Sequence, residues 1–283
     1  VGKMAAQQRA TILFGTSTFF RLYNRNRRLH PLMFESIRMV VAGAEKLKPE
    51  VKQGFREKFG LEIYEGYGAT ETAPVVSVNM PNILDPDSLK EITVNRPGTV
   101  GLPLPGTIVK IVDPERLEEL PIGEDGLIVI GGSQVMKGYY GDPEKTGEVI
   151  AEIGGVRYYK SGDKGHVDEE GFVTIVDRYS RFAKIGGEMI SLGSVEEQLS
   201  RLLGETVELI AVNVPDAKKG EKVVLLYSAD IEPAELEKAI RAGAIPPLMI
   251  PASCHRLDEL PRLASGKADF KGAKTAALEL ERV

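Results

Sequence analysis

Residues 37–74, IRMVVAGAEKLKPEVKQGFREKFGLEIYEGYGATETAP, read as strand, helix, strand and glycine turn in immediate succession. Residues 37–43 form an apolar run of the length expected for a buried strand. From Pro49 to Phe59 the pattern changes: Val51, Phe55 and Phe59 recur at i, i+4 and i+8, one apolar face of a helix. Gly60 supplies a helix stop, and residues 61–68 start the next strand and the turn after it. Strands that are apolar throughout, with a helix between them, specify an α/β layer. Residues 11–14, TILF, add another interior strand upstream.

Working outward, residues 79–105 are rich in Pro, Asn and Gly. Short β-like runs at 107–112, 126–130, 165–168 and 172–176 follow, separated by glycine turns, a spacing that suits a bent β unit or distorted barrel. After Asp177-Arg178 strands and helices alternate again. Val195, Leu199 and Leu202 form a helical stripe, 209–214 and 222–228 read as strands, and Leu236 with Ile240 mark another helix. The expected organisation is a large unit over residues 1–177 and a small α+β unit over 178–283. The opening Val1-Gly2-Lys3 has no initiator Met, and a strand is under way by Thr11, so the chain is expected to be a piece of a longer protein.

With 283 residues, 42% hydrophobic and 27% charged, the composition is that of a globular protein rather than a disordered one. The net charge of −5 argues against a general nucleic-acid binder. No run approaches the roughly 18 to 20 apolar residues of a membrane-crossing helix. A single cysteine, Cys254, excludes an internal disulfide and a Cys-based zinc site, so an intracellular, cytoplasmic chain is expected, with Cys254 as a small part-buried apolar residue. His30, His166 and His255 share no metal-ligand spacing. Arg21, Arg25, Arg27 and Arg28 make either a solvated helix end or a landing patch for an acidic partner.

Four segments carry candidate chemistry, each with a plainer reading beside it. In GYGATETAP (66–74) glycines permit close backbone approach, and Thr70-Glu71 offers a hydroxyl and a carboxylate suited to a phosphate and its Mg²⁺; the plainer reading is a capped glycine turn. In YYKSGDKG (158–165) Asp163 is expected on a tight turn between strands, where a carboxylate can take sugar hydroxyls or simply favour the turn. The run 177–196 places Arg178, Arg181 and Lys184 ahead of Gly186-Gly187 at the expected hinge. In LPRLASGKADF (260–270) Lys267 follows Gly266 at a loop tip, where it can reach a phosphoryl oxygen as a point charge.

Taken together and in this order, YGxTE, DGLIVIGGSQVMKGYY, SGD, the D-R…K-x-G-G-E segment and P-x-x-x-x-G-K resemble the adenylate-forming superfamily of acyl-CoA synthetases, luciferases and peptide-synthetase adenylation domains. The phrases LFGTSTF, VVAGAEKL, EGYGATETAPVVSVN and RFAKIGGEMISL are similar to its acyl-carrier-protein synthetase branch, known from bifunctional 2-acylglycerophosphoethanolamine acyltransferases. The resemblance implies the C-terminal part of a large adenylate-forming domain, an α/β layer plus distorted β-barrel, followed by a small lid domain. It implies ATP and Mg²⁺ as cofactors. Gly43, Ala44 and Glu45 with Gly66, Tyr67 and Gly68 would line the adenine, Thr70 would touch phosphate, and Glu71 would hold Mg²⁺. Asp163 and Arg178 would take the ribose hydroxyls, and Lys267 would steady the carboxylate and α-phosphate. Lys184 and Gly187 would serve thioester formation after the small domain rotates about Ser180, where Asp or Lys is usual.

The implied activity is an acid-thiol ligase loading a fatty acid onto acyl carrier protein for lysophospholipid reacylation, the parent lying at the cytoplasmic face of a bacterial inner membrane. Acidic carrier would meet the arginine patch or Lys218, Lys219 and Lys222. A fatty acyl-CoA synthetase, with CoA as acceptor, uses the same core residues. The pattern also suits a non-catalytic nucleotide- or carrier-binding module and, less well, an amino-acid-activating enzyme. The superfamily's phosphate loop lies upstream of the matched segments, so this chain by itself is expected to bind ATP weakly and turn over little.

Overall fold

The computed structural model describes residues 1–204, 207–263 and 266–282, and the chain divides into two compact units, Val1–Val176 and Asp177–Val283.

In the first unit, helix α1 (Gly2–Gln8) precedes β1 (Ile12–Gly15), α2 (Ser17–Arg25), β2 (Met39–Ala42), α3 (Pro49–Phe59) and β3 (Ile63–Gly68). Strands β1, β2 and β3 are parallel, with Ile12 opposite Met39 and Val40 opposite Ile63. Helix α3 has the bounds its sequence dictates: Pro49 is preset for a first turn, and Gly60 closes the end in a left-handed conformation with φ 70°. Its stripe of Val51, Phe55 and Phe59 is buried with Phe20 and Phe34. The rings of Phe55 and Phe59 lie 4.6 Å apart and those of Phe20 and Phe55 5.2 Å, tilted or edge-on as aromatic quadrupoles prefer. Both ends of α2 are held by distant side chains. Glu45 accepts from Thr18 N at 2.5 Å, and Lys58 Nζ donates to the carbonyls of Tyr23, Asn24 and Asn26 at 2.7, 3.1 and 2.7 Å. These satisfy backbone groups a helix leaves open at each end.

The sheet continues with antiparallel β4 (Val75–Val78), then passes a hairpin, β5 (Ile83–Leu84) and β6 (Glu91–Ile92), before β7 (Leu102–Pro103) joins its edge. A second, antiparallel sheet follows. It comprises β8 (Thr107–Val112), β9 (Gly126–Gly132) and, after α4 (Pro143–Val149), β10 (Ile150–Ile153), β11 (Val156–Val167) and β12 (Val173–Arg178), ordered β10-β11-β9-β8 with β12 on β11. Strand β11 carries a bulge between Lys160 and Lys164. Val76 of the first sheet packs with Ile111, Ile128, Ile130, Tyr159 and Val173 of the second, joining the sheets through one core.

The second unit is a sheet of β13 (Phe182–Ile185), β14 (Glu188–Ser191), β15 (Glu208–Asp216), β16 (Gly220–Ser228) and β17 (Ser253–Arg256), with helices α5 (Leu192–Leu203), α6 (Pro233–Ala242) and α7 (Phe270–Leu280). Strand alternation sends Val223, Leu225 and Tyr227 of β16 to the face covered by α5 and α6, and Val224 and Leu226 to the face covered by α7. Cys254 is buried on the first of these faces, where burial and the Glu237 charge push its thiol up to about 12. Among the described residues no helix is long and apolar enough to cross a membrane.

Glu281, just beyond α7, ties that helix to β16 and β17. Burial opposes its ionisation, but hydrogen bonds from Lys222, Ser253 and His255 outweigh that and hold its carboxyl down to about 2. A depressed carboxyl pKa gives stability that is complete above the unfolded value and is lost as pH falls through the folded one. Between pH 4.5 and about 2 the second unit should therefore lose about 2 kcal/mol. Glu281→Gln should remove the same amount at neutral pH and flatten that acid limb, as read from urea unfolding at several pH values.

Candidate functional site

The glycine turn follows directly from β3. Position 68 must lack a side chain, since a β-carbon there would sit 1.9 Å from the Pro74 carbonyl oxygen. Ala69 N bonds that same oxygen at 2.9 Å. The buried Thr72 hydroxyl accepts from Ala69 N at 3.1 Å and lies 2.9 Å from Pro74 O, closing the loop from inside. Thr70 is thereby left exposed and Glu71 half-buried on the outer side of the turn.

Two tyrosine–carboxylate pairs flank it. Tyr67 donates to Asp163 Oδ2 at 2.6 Å. Burial, then the Asp163 charge and this hydrogen bond, hold the Tyr67 phenol well above its ordinary value. Tyr139 donates to Glu71 Oε1 at 2.7 Å, and Met136 N donates to the Glu71 carbonyl at 2.8 Å, so the segment after β9 grips Glu71 by side chain and backbone alike. The hydrogen bond to Glu71, with burial and the Glu71 charge, pushes the Tyr139 phenol up to about 12.

Asp163 does not lie on a turn between strands, as the sequence suggests. It sits inside β11, at the bulge, where Gly162 takes φ 75° and the buried Ser161 hydroxyl accepts from Asp163 N at 3.0 Å. The extra residue of a bulge re-aims a side chain without ending the strand.

Gly43 and Gly66 belong to the ends of adjacent strands, and a β-carbon on Gly43 would lie 3.5 Å from the Gly66 carbonyl. Ala44 adopts φ 68°. The Glu45 carboxylate, expected at an adenine, accepts through Oε1 from the backbone of α2. The first unit thus assembles Gly66, Tyr67, Gly68, Thr70, Glu71 and Asp163, with Gly43 and Ala44 at the neighbouring strand end.

Arg178, Ser180, Lys184 and Lys267 belong to the second unit. Arg178 and Ser180 are exposed, and their neighbours are anchored there: Asp177 Oδ2 accepts from Ser191 Oγ at 2.6 Å and Gly193 N at 2.8 Å, while Arg181 donates to Glu196 Oε1 at 2.6 Å. Burial raises the Glu196 carboxyl, against the pull of Arg181. Lys184 lies exposed in strand β13, with its N–H on Glu221 at 2.6 Å; Gly186 and Gly187 form the β13–β14 turn with φ 60° and 95°. Lys267 sits half-buried in a tight loop, its carbonyl accepting from Leu263 N at 2.8 Å; Ala264 and Ser265 of that motif lie outside the described residues.

Residues 2–140 match the AMP-binding enzyme family. The match takes in the glycine turn, Glu71 and Tyr139. A long-chain-fatty-acid–CoA ligase of Bacillus subtilis is 32% identical over 270 residues, 94% of this chain and 45% of that protein. ATP-bound MatB from Rhodopseudomonas palustris superposes with a TM-score of 0.80 at 26% identity, over 99% of this chain and 54% of that one. MenE from Bacillus subtilis, solved with the acyl-adenylate OSB-AMP, gives 0.75 at 26% identity, over 96% and 52%. The chain therefore spans about half the length of the proteins it resembles. Its fold is the α/β layer and bent antiparallel sheet of adenylate-forming enzymes, followed by a small α+β unit.

The donors at the turn fit Mg²⁺ held by one carboxylate and substrate phosphates. Glu71 Oε2 has no hydrogen-bond partner among the described residues, Thr70 is open beside it, and no group of three His, Cys, Asp or Glu side chains among those residues is placed to cage an ion.

Thr72 and Tyr139 do not stand out in the sequence. Thr72 is hidden as a second threonine in TET, and the Tyr139 contact spans 68 residues, too far for any local pattern. Two substitutions test this geometry. Gly68→Ala should cost about 3 kcal/mol in urea unfolding through its clash with Pro74. Tyr67→Phe, which removes one donor from the half-buried Asp163 carboxylate, should cost about 1 kcal/mol.

Proposed function

We propose that the chain is part of a ligase that uses ATP to convert a long-chain fatty acid to its acyl-adenylate and passes the acyl group to the thiol of coenzyme A. The observation that carries this reading is the pair of tyrosine-held carboxylates, Asp163 and Glu71, on either side of one glycine turn in an AMP-binding family sequence. The name of the Bacillus subtilis relative supports the choice of acid and acceptor.

In the first step a fatty-acid carboxylate oxygen bonds to the α-phosphorus of ATP, and the bond to pyrophosphate breaks with its electron pair leaving on pyrophosphate. In the second, the thiol sulfur bonds to the acyl carbon, the thiol proton passes to solvent, and AMP departs with the electrons of the cleaved carbon–oxygen bond. Two anions meet in the first step, so cationic groups must offset their repulsion. Mg²⁺, when bound, neutralises phosphate charge. Glu71 is the residue to hold it, and the Thr70 hydroxyl donates to a phosphate oxygen. Gly66, Tyr67 and Gly68 with Gly43, Ala44 and Glu45 form the wall for adenine. Asp163, held by Tyr67, accepts from ribose hydroxyls, and Arg178 donates to them. Lys267 supplies positive charge to the carboxylate and α-phosphate, and Lys184 and Gly187 serve the thiol step.

A second reading, with acyl carrier protein as acceptor, is favoured by the exposed Arg25, Arg27 and Arg28 at the end of α2, a charge cluster suited to an acidic protein.

In the whole protein, Lys267→Ala should slow fatty-acid-dependent pyrophosphate release by about 100- to 1,000-fold with ATP binding retained; wild-type rates in that variant would remove Lys267 from the chemistry. With CoA and holo-carrier protein supplied at equal concentration, mass spectrometry should find the acyl group on CoA. Carrier loading that is abolished by reversing Arg25, Arg27 and Arg28 would establish the second reading instead.

A further inference from the structure

The two oxygens of the Glu71 carboxylate stand in different situations. Oε1 accepts the Tyr139 hydroxyl at 2.7 Å, whereas Oε2 has no partner among the described residues. Tyr139 is itself fixed independently of Glu71. Its backbone N–H donates to the Thr146 hydroxyl at 2.8 Å, and Lys145 Nζ lies 4.9 Å from its ring centroid. The preceding carbonyls, of Met136 and Lys137, accept from Arg157 of β11 at 3.2 Å. The phenol is thus delivered to Oε1 by α4 and β11, while Met136 N fixes the Glu71 backbone.

Resting on the reading of Glu71 as the residue that holds the nucleotide's divalent cation, we infer that Tyr139 is a specificity-determining residue: by occupying Oε1 it leaves one carboxylate oxygen for the ion and so favours Mg²⁺ over Ca²⁺. The physical basis is coordination. Mg²⁺ is small, octahedral and satisfied by single oxygens from one or two carboxylates plus phosphates and waters. Ca²⁺ takes six to eight oxygens and gains from a carboxylate that offers both. A phenol on Oε1 obstructs two-oxygen ligation and orients the other oxygen, as hydrogen-bond partners of metal ligands commonly do. Replacing Tyr139 by Phe removes one hydroxyl and keeps the ring, so the packing under Lys145 survives.

The experiment is electron paramagnetic resonance of Mn²⁺ in the presence of ATP, which reads ion binding without turnover, on the whole protein as wild type, Glu71→Ala, Tyr139→Phe and Tyr140→Phe, the last an exposed neighbour. Each sample is then titrated with Mg²⁺ and with Ca²⁺ to displace Mn²⁺. Glu71→Ala should abolish ATP-dependent Mn²⁺ binding. Tyr139→Phe should weaken Mn²⁺ and Mg²⁺, which lose the oriented single oxygen, and strengthen Ca²⁺, which gains the second, lowering the Mg²⁺-to-Ca²⁺ preference by on the order of 10-fold. Tyr140→Phe should match wild type. If Glu71→Ala binds Mn²⁺ like wild type, or wild type shows no ATP-dependent binding, the underlying reading fails and the inference with it. If Glu71→Ala loses the ion but Tyr139→Phe keeps the wild-type preference, the inference alone is overturned. A uniform weakening for all three ions would make Tyr139 a structural support and overturn it equally.

Discussion

The carbonyl oxygen of Pro74 occupies the space that a β-carbon on Gly68 would need, and this contact closes the turn on which Thr70 and Glu71 ride. A loop so tight pairs its backbone groups internally, Ala69 N on Pro74 O among them. The Thr72 hydroxyl does so, bonding Ala69 on one side and reaching Pro74 on the other. The bulge of β11 and the segment after β9 then add their carboxylate and phenol to a turn already shaped. Asp163 arrives through Gly162, Tyr139 through its bond to Thr146. Electrostatic groups at this site are therefore positioned by backbone geometry first and side-chain hydrogen bonds second.

Much of this is written locally. Helix α3 begins at Pro49 and ends before Gly60 because each residue has one backbone conformation that suits it there, and both signals lie in the sequence itself. Strand runs with apolar residues on both faces are equally legible, as in β9 and β16. What fails is local inference about non-local effects. SGD has the composition of a turn, yet the pairing of β11 with β9 overrides that preference and converts it to a bulge. Nothing nearby in sequence shows that Thr18, 27 residues away, donates to the Glu45 carboxylate. That residues 182–191 fold as a hairpin, with Lys184 in its first strand, is equally hidden from local pattern.

The two units solve the burial of their sheets differently. In the first, aromatic rings from α2, α3 and the turn at Pro31–Phe34 cover one side of a parallel layer, and the antiparallel sheet meets that layer through Val76. In the second, a single sheet is covered on both faces, so its central strand has no polar side. Charged residues are accordingly gathered at the ends of β15 and β16 and on the helices, where the Glu281 cluster and the Arg181–Glu196 pair join strands to helices.

Strand β16 has a consequence beyond the folded state. Covered on both faces, it contains the unbroken run VVLLY at 223–227, of high β propensity and without charge, proline or glycine. Such a segment, once released from β15 and β17, is able to pair with its own copies, and only Glu221 and Lys222 at one end act as gatekeepers against that. Unfolding of the second unit exposes this run, so the chain's lifetime in solution depends on how rarely β16 is freed.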